Sequence, residues 1–283
     1  MEWIERFNEA VNYIEEFITD EIDYEKLAQI ACCSTYHFQR MFAYMAGMPL
    51  SEYIRRRRMS LAAVDLQSGN EKIIDIAMKY GYASPTAFNR AFQNVQGIAP
   101  SAVKKGGQAL KSYPPISFKL TIKGVEQMNY RIEEKEGFRI VGISQPLNKE
   151  IEKNFSIVPQ MWGKAAMDGT ISKLAAIMTG PPMGLLGVSA CSDDEEWKYL
   201  IAVSSSHPAE ENFEEYHVPA STWAIFPGSG TSTSIQELEQ RILSEWLPTS
   251  GYEYANAPDI EVYLNADPEN AQYEVWIPVV KKG

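Results

Sequence analysis

The chain of 283 residues is poor in the groups that build disulfide frameworks and metal centres. Three cysteines (Cys32, Cys33 and Cys191) and three histidines (His37, His207 and His217) are its whole supply. Two of the cysteines are adjacent and no Cys-x-x-Cys pair occurs, so neither a disulfide scaffold nor a zinc-ligand spacing is expected, and no metal or cofactor is assigned. No run approaches the roughly 20 apolar residues that span a bilayer. The first nine residues carry Glu2, Glu5 and Glu9 in place of the basic and apolar segments of a signal peptide, so a cytoplasmic location is expected.

What is present is unevenly charged. Overall the chain carries −11, a balance unsuited to a nucleic-acid binder until it is divided along the sequence. Residues 1–25 hold one basic and nine acidic side chains, a net of −8. Residues 26–111 hold twelve basic and four acidic, a net of +8. Residues 112–283 hold thirteen basic and twenty-four acidic, a net of −11. A basic block between acidic ones points to a polyanionic partner for that block alone.

Residues 1–107 read as helical, with apolar residues at helical spacing from Trp3 to Ile18 and from Ile54 to Leu66. Inside this stretch the chain resembles itself at an offset near 50. Ala28 matches Ala77, Ser34 matches Ser84, Phe38 and Phe42 match Phe88 and Phe92, Arg40 matches Arg90, and Gly47 matches Gly97. Each copy has the plan of a helix-turn-helix: a short helix with a small alanine, a tight turn, a capping serine and a second helix. Spacing puts the phenylalanines toward a core and Tyr36, Gln39 and Arg40, or Thr86, Asn89 and Arg90, on an exposed face. Arginine can read guanine and Gln or Asn can read adenine in the major groove. Between the copies, Arg55-Arg56-Arg57-Arg58 is expected to divide between internal pairs with Glu52 or Asp65 and contacts to DNA phosphates.

These residues resemble the AraC/XylS-type DNA-binding domain. The likeness rests on Ser34 to Phe42, Tyr53-Ile54-Arg55, Ile76-Ala77, Tyr80 to Ser84, Phe88 to Phe92 and the Gly97–Pro100 end. The resemblance implies that Tyr36, Gln39 and Arg40 read bases in one groove and Pro85, Thr86 and Arg90 in the next, with Asn89 beside them. Cys32 departs from the pattern, which has glycine at that turn. Such a regulator implies double-stranded DNA as partner, and RNA polymerase as a further one.

The acidic half, residues 116–283, reads differently. Strand-like runs fall at Ser117–Ile122, Phe138–Gly142, Leu185–Ser189, Tyr199–Ser204, Thr222–Phe226, Ile260–Leu264 and Tyr273–Val279, and helical runs at Ile157–Ala166 and Ile235–Trp246. The order strand-helix-strand-strand occurs twice, which predicts two pseudo-symmetric units with a groove between them. Five of the six tryptophans lie here; Trp246, on an amphipathic helix, is assigned to the core. Alternation places Glu261 and Tyr263 on one face of their strand, and Glu274 and Trp276 on one face of theirs. A carboxylate beside aromatic rings is the chemistry that takes up an apolar cation.

From about residue 128 onward the chain resembles the GyrI-like domain of Rob-like, multidrug-sensing regulators. Tyr216 to Ala220, Trp223 to Phe226, Trp246 to Tyr252, Ile260 to Tyr263 and Glu274 to Val279 carry the likeness. It implies a groove for bulky, often cationic aromatic compounds, with Glu261 as the key acid and Trp223, Tyr263 and Trp162 as ring walls; Glu274 and Trp276 join the candidate set. The expected architecture is therefore α plus α/β in two domains: a DNA-binding domain over 1–107, a linker with lead-in strand over 108–127, and an effector domain over 128–283. The linker between Gly106 and Pro115 is the expected place for a change of arrangement. The expected function is a transcription regulator, not an enzyme, controlled by a lipophilic, cationic small molecule. Two alternatives are that the second domain hydrolyses a reactive compound through Glu261 and Tyr263, or that it binds a protein partner.

Overall fold

A computed structural model describes residues 3–119, 127–191, 196–209, 212–265, 267 and 270–282. The chain divides into two compact units, one drawn from Met1–Cys32 and Ala46–Leu120, the other from Cys33–Met45 and Thr121–Gly283.

The first unit is helical: α1 (Trp3–Glu16), α2 (Tyr24–Ala31), α4 (Leu50–Ser68), α5 (Ile73–Lys79), α6 (Pro85–Gln96) and α7 (Pro100–Lys104). Local chemistry sets the boundaries. Asp23 caps α2 by accepting from Lys26 N, and Ser84 caps α6 by accepting from Ala87 N, with Pro85 in the first turn, where its missing N–H costs nothing. Gly97 closes α6 in the left-handed conformation. Met59, Ala62 and Leu66 of α4, Ile76 and Ala77 of α5, and Phe88 and Phe92 of α6 share one core. Ala77 is fully buried there, as its small size required.

Of the four consecutive arginines, none is left wholly to phosphate. Arg55 and Arg56 pair with Glu52, Arg57 with Glu15 at 2.6 Å, and Arg58 donates to the Ile18 carbonyl at 2.8 Å. Asp65 takes Lys79 and Tyr80 instead of an arginine. Arg57 and Arg58 therefore fasten α4 to α1 and the loop after it, whereas Arg55 and Arg56 pair within α4, and only Arg55 is exposed. Nor is the stretch after Gly106 a free linker. Tyr113 donates from its backbone to Ser60 Oγ and accepts from Arg57, Lys111 pairs with Gln96, and Phe118 pairs with Asn8. The strand expected at 117–122 lies partly outside the described residues; Ser117–Lys119 is not strand.

The second unit comprises α3 (Thr35–Ala46), β1 (Arg131–Lys135), β2 (Phe138–Pro146), α8 (Asn154–Met167), α9 (Thr170–Ile177), β3 (Leu185–Ala190), β4 (Lys198–Ser204), β5 (Glu214–Val218), β6 (Ser221–Gly230), α10 (Ser232–Arg241), β7 (Tyr252–Tyr254), β8 (Asp259–Tyr263) and β9 (Ala271–Lys281). After α10 the chain continues as a π-helical turn over Ile242–Trp246. The nine strands form one antiparallel sheet in the order β1-β6-β9-β8-β3-β4-β2-β5, with β7 beside β9.

The twofold repeat is visible in that order. β2-β4-β3 and β6-β9-β8 are equivalent triplets, each with its helices following the first strand. They join edge to edge through β3 and β8, where Gly187 stands opposite Glu261. The two pseudo-symmetric units thus share one continuous sheet. One face carries Leu186, Val188, Ile260, Val262, Trp223 and Trp276 in a single cluster. On the other, Tyr199, Ile201 and Val203 pack under α8 and α9.

Candidate functional site

The seam between the two triplets brings a carboxylate under aromatic groups. Across β8, Ile260 and Val262 turn into the apolar cluster, so Glu261 and Tyr263 turn to the helical face. Tyr263 Oη donates to Glu261 Oε2 at 2.8 Å and Tyr199 Oη donates to the same oxygen at 3.2 Å. Trp162 Nε1 on α8 donates to Tyr199 Oη at 2.9 Å, and its ring meets the Tyr263 ring edge-on at 5.0 Å. Burial pushes the Glu261 carboxyl up from 4.5 to about 7; Glu239 pushes the same way, while the tyrosine hydroxyls and Arg40 oppose it. Burial, reinforced by Glu261, holds both phenols far above the usual tyrosine range. They stay protonated donors throughout the physiological range.

Glu261, Tyr263 and Trp162 therefore meet as one cluster. Trp223, Trp276 and Glu274 do not join them, and the expected common groove is corrected here. The register pairs Ile260 with Trp276 and Val262 with Glu274, and directly paired residues share a face. Trp276 and Glu274 accordingly lie on the face away from Glu261, where Trp223 is fully buried with its ring 5.8 Å from that of Trp276. Glu274 is already neutralised by Arg131 at 2.9 Å and accepts from Trp276 Nε1 at 2.8 Å. Trp246 is a core residue, edge-on to Phe226 at 4.9 Å.

Sequence reasoning missed Tyr199 and Gly187. Glycine inside an apolar strand was the available signal, since it marks a close approach. A Cβ at 187 would overlap the Tyr199 hydroxyl and lie 2.9 Å from Glu261 Oε2.

A cavity of about 680 Å³ lies apart from this cluster along β2, α8 and α9, lined by Ser144, Gln160, Met161, Lys164, Asp168 and Lys173 among others. Its two lysines and polar walls do not suit a lipophilic cation.

The two helices that the internal repeat makes equivalent differ sharply. On α6, Thr86, Asn89 and Arg90 are exposed, as spacing required, and so is Pro85. On α3, Tyr36 is 7% exposed, Gln39 2% and Arg40 8%, against the expectation of a solvent face. The cause is packing within the second unit. Arg40 Nη1 donates to Asp259 at 2.7 Å, its other terminal nitrogen pairs with Glu239, and Gln39 donates to the Lys149 carbonyl at 2.9 Å. The Tyr36 ring meets Trp197 edge-on at 5.3 Å.

Residues 128–280 match the GyrI-like small molecule binding domain, and residues 27–106 match a helix-turn-helix domain. The chain belongs to the GyrI-like family. It is an AraC-type transcription regulator that joins a DNA-binding helix-turn-helix region to a small-molecule-binding domain. The regulator is 23% identical over 281 residues to the Right origin-binding protein of Escherichia coli K12, covering 94% of this chain and 95% of that one. It is 42% identical over 94 residues to the HTH-type transcriptional activator AarP of Providencia stuartii, covering 33% of this chain and 70% of AarP. Among solved structures, SAV2435 bound to tetraphenylphosphonium superposes with a TM-score of 0.47 at 19% identity, covering 54% of the regulator and 94% of that chain. Among the described residues, no helix is long and apolar enough to cross a membrane.

Proposed function

We propose that the regulator senses a lipophilic, aromatic cation at Glu261 and reads DNA bases with α3 and α6. The observation that carries the ligand assignment is a partly buried carboxylate whose charge is disfavoured by its surroundings, set among Tyr199, Tyr263 and Trp162. A cation arriving there relieves the cost of the desolvated charge and gains cation–π attraction from the rings. A neutral analogue gains only apolar burial. For DNA, the exposed Pro85, Thr86, Asn89 and Arg90 of α6 make the second reading set.

The test is a tryptophan-fluorescence titration with the cationic dye rhodamine 6G against the anionic dye fluorescein, on wild type and Glu261→Gln. Saturable quenching by rhodamine 6G, weakened at least tenfold by the substitution, is expected. Affinity should also rise from pH 6 to pH 8 in wild type, as the group near 7 ionises, and stay flat in the variant. Equal affinity for both dyes, or indifference to Glu261→Gln, overturns the assignment.

A further inference from the structure

The two matched arginines are treated in opposite ways. Arg90 is exposed on α6, whereas Arg40 sits in a carboxylate site made by Glu239 of α10 and Asp259 of β8. Tyr44, one turn further along α3, donates to the other Glu239 oxygen at 2.8 Å. His37 stacks on Tyr254 at 3.7 Å and lies 3.4 Å from Asp259. Each side chain that major-groove reading would need on α3 thus has a partner inside the second unit.

This holding site shares its sheet face with Glu261. Asp259 is two residues before Glu261 on β8, and alternation turns both the same way. Arg40 and Glu239 are near enough for their charges to act on Glu261, in opposite directions. The arrangement is also incompletely satisfied. Trp197 Nε1, Tyr254 Oη and Asp259 Oδ1 are buried without a hydrogen-bond partner among the described residues.

We propose that α3 is a masked recognition helix: Arg40 occupies the Glu239–Asp259 site as an internal cation and competes with a cationic ligand at Glu261 for one field of carboxylates. The proposal rests on the reading of α3 as a base-reading helix and of Glu261 as the ligand acid. A cation bound beside Glu261 adds like charge next to Arg40 and weakens its hold. Coupling of this kind is reciprocal, so DNA that captures α3 tightens cation binding by the same factor, typically ~5–150-fold.

The test uses the full chain, hydrogen exchange of the α3 amides, and a duplex selected by the wild-type protein from a random-sequence pool. Glu239→Gln with Asp259→Asn leaves Arg40 buried without charge partners, which should expel it. The α3 amides are expected to exchange at least tenfold faster, and the duplex to bind at least tenfold tighter, without any ligand. Tyr44→Phe, which leaves every charge in place, guards against misfolding of the double variant and should move both readouts the same way by about threefold, the loss of one hydrogen bond. Faster exchange with unchanged or weaker duplex affinity overturns the mask, as does unchanged exchange in both variants. Rhodamine 6G should tighten duplex binding by wild type but not by Glu261→Gln. If the double variant is activated while the dye has no effect, the mask stands and the competition with a cation falls. If Arg90→Ala leaves duplex affinity unchanged, the DNA-reading assignment fails instead, and the mask with it.

Discussion

Cys32 ends α2 with φ 55° and ψ 47°, a left-handed conformation that a side chain makes unfavourable. Its counterpart in the second copy of the repeat is Gly81, at φ 81°. Cys32→Gly should therefore stabilise the chain by about 1 kcal/mol, less the extra freedom glycine gives the unfolded state. A rise in the urea midpoint with unchanged slope is the expected reading; a fall would mean that the turn holds no strain. This position was legible in the sequence through the family resemblance, whose pattern has glycine at that turn. The exposure of Arg40 was not legible in the same way. Helical spacing says which side of α3 a residue occupies, and nothing about what covers that side.

At the scale of elements, strand alternation was reliable within each strand and silent between strands. It paired Glu261 with Tyr263 and Glu274 with Trp276 correctly, because side chains two apart share a face. Whether those two faces coincide depends on register, and the pairing of Ile260 with Trp276 sets them on opposite sides. Tyr199 stayed hidden for the same reason, since it reaches Glu261 across β3 from another strand. The gap it crosses exists because residue 187 has no side chain. Gly187→Ala should keep the sheet order, cost ~1–3 kcal/mol in forced repacking, and displace the Tyr199 hydroxyl. Thermal unfolding together with the rhodamine 6G titration would show both effects. Unimpaired dye binding would mean that Tyr199 contributes nothing to the site. The long helices were legible from their amphipathic spacing, and the short α2 and α5 from the helix-turn-helix repeat; α9, with only eight residues to show a period, escaped.

For the whole molecule, the raised Glu261 carboxyl links folding to pH. The folded state keeps this proton up to about 7, whereas an ordinary carboxyl loses it near 4.5. The group therefore contributes stability below its unfolded value, and that contribution is lost as pH rises through the folded one. Ligand-free protein should lose on the order of 2–3 kcal/mol of stability relative to Glu261→Gln between pH 4.5 and pH 8. Urea unfolding of the two proteins across that range isolates the effect, because other titrating groups cancel in the difference. A constant difference would place Glu261 in water, free of the desolvation that defines the site.

The unequal exposure of α3 and α6 also bears on how the protein would find its site. A chain offering one reading helix holds DNA by a single groove and a few phosphates. Such contacts are short-lived and salt-sensitive, and they allow sliding and hopping along the duplex. Capture by α3 would then act on residence time far more than on arrival. Search and commitment would fall to different helices of one polypeptide, and the ligand would govern only the second.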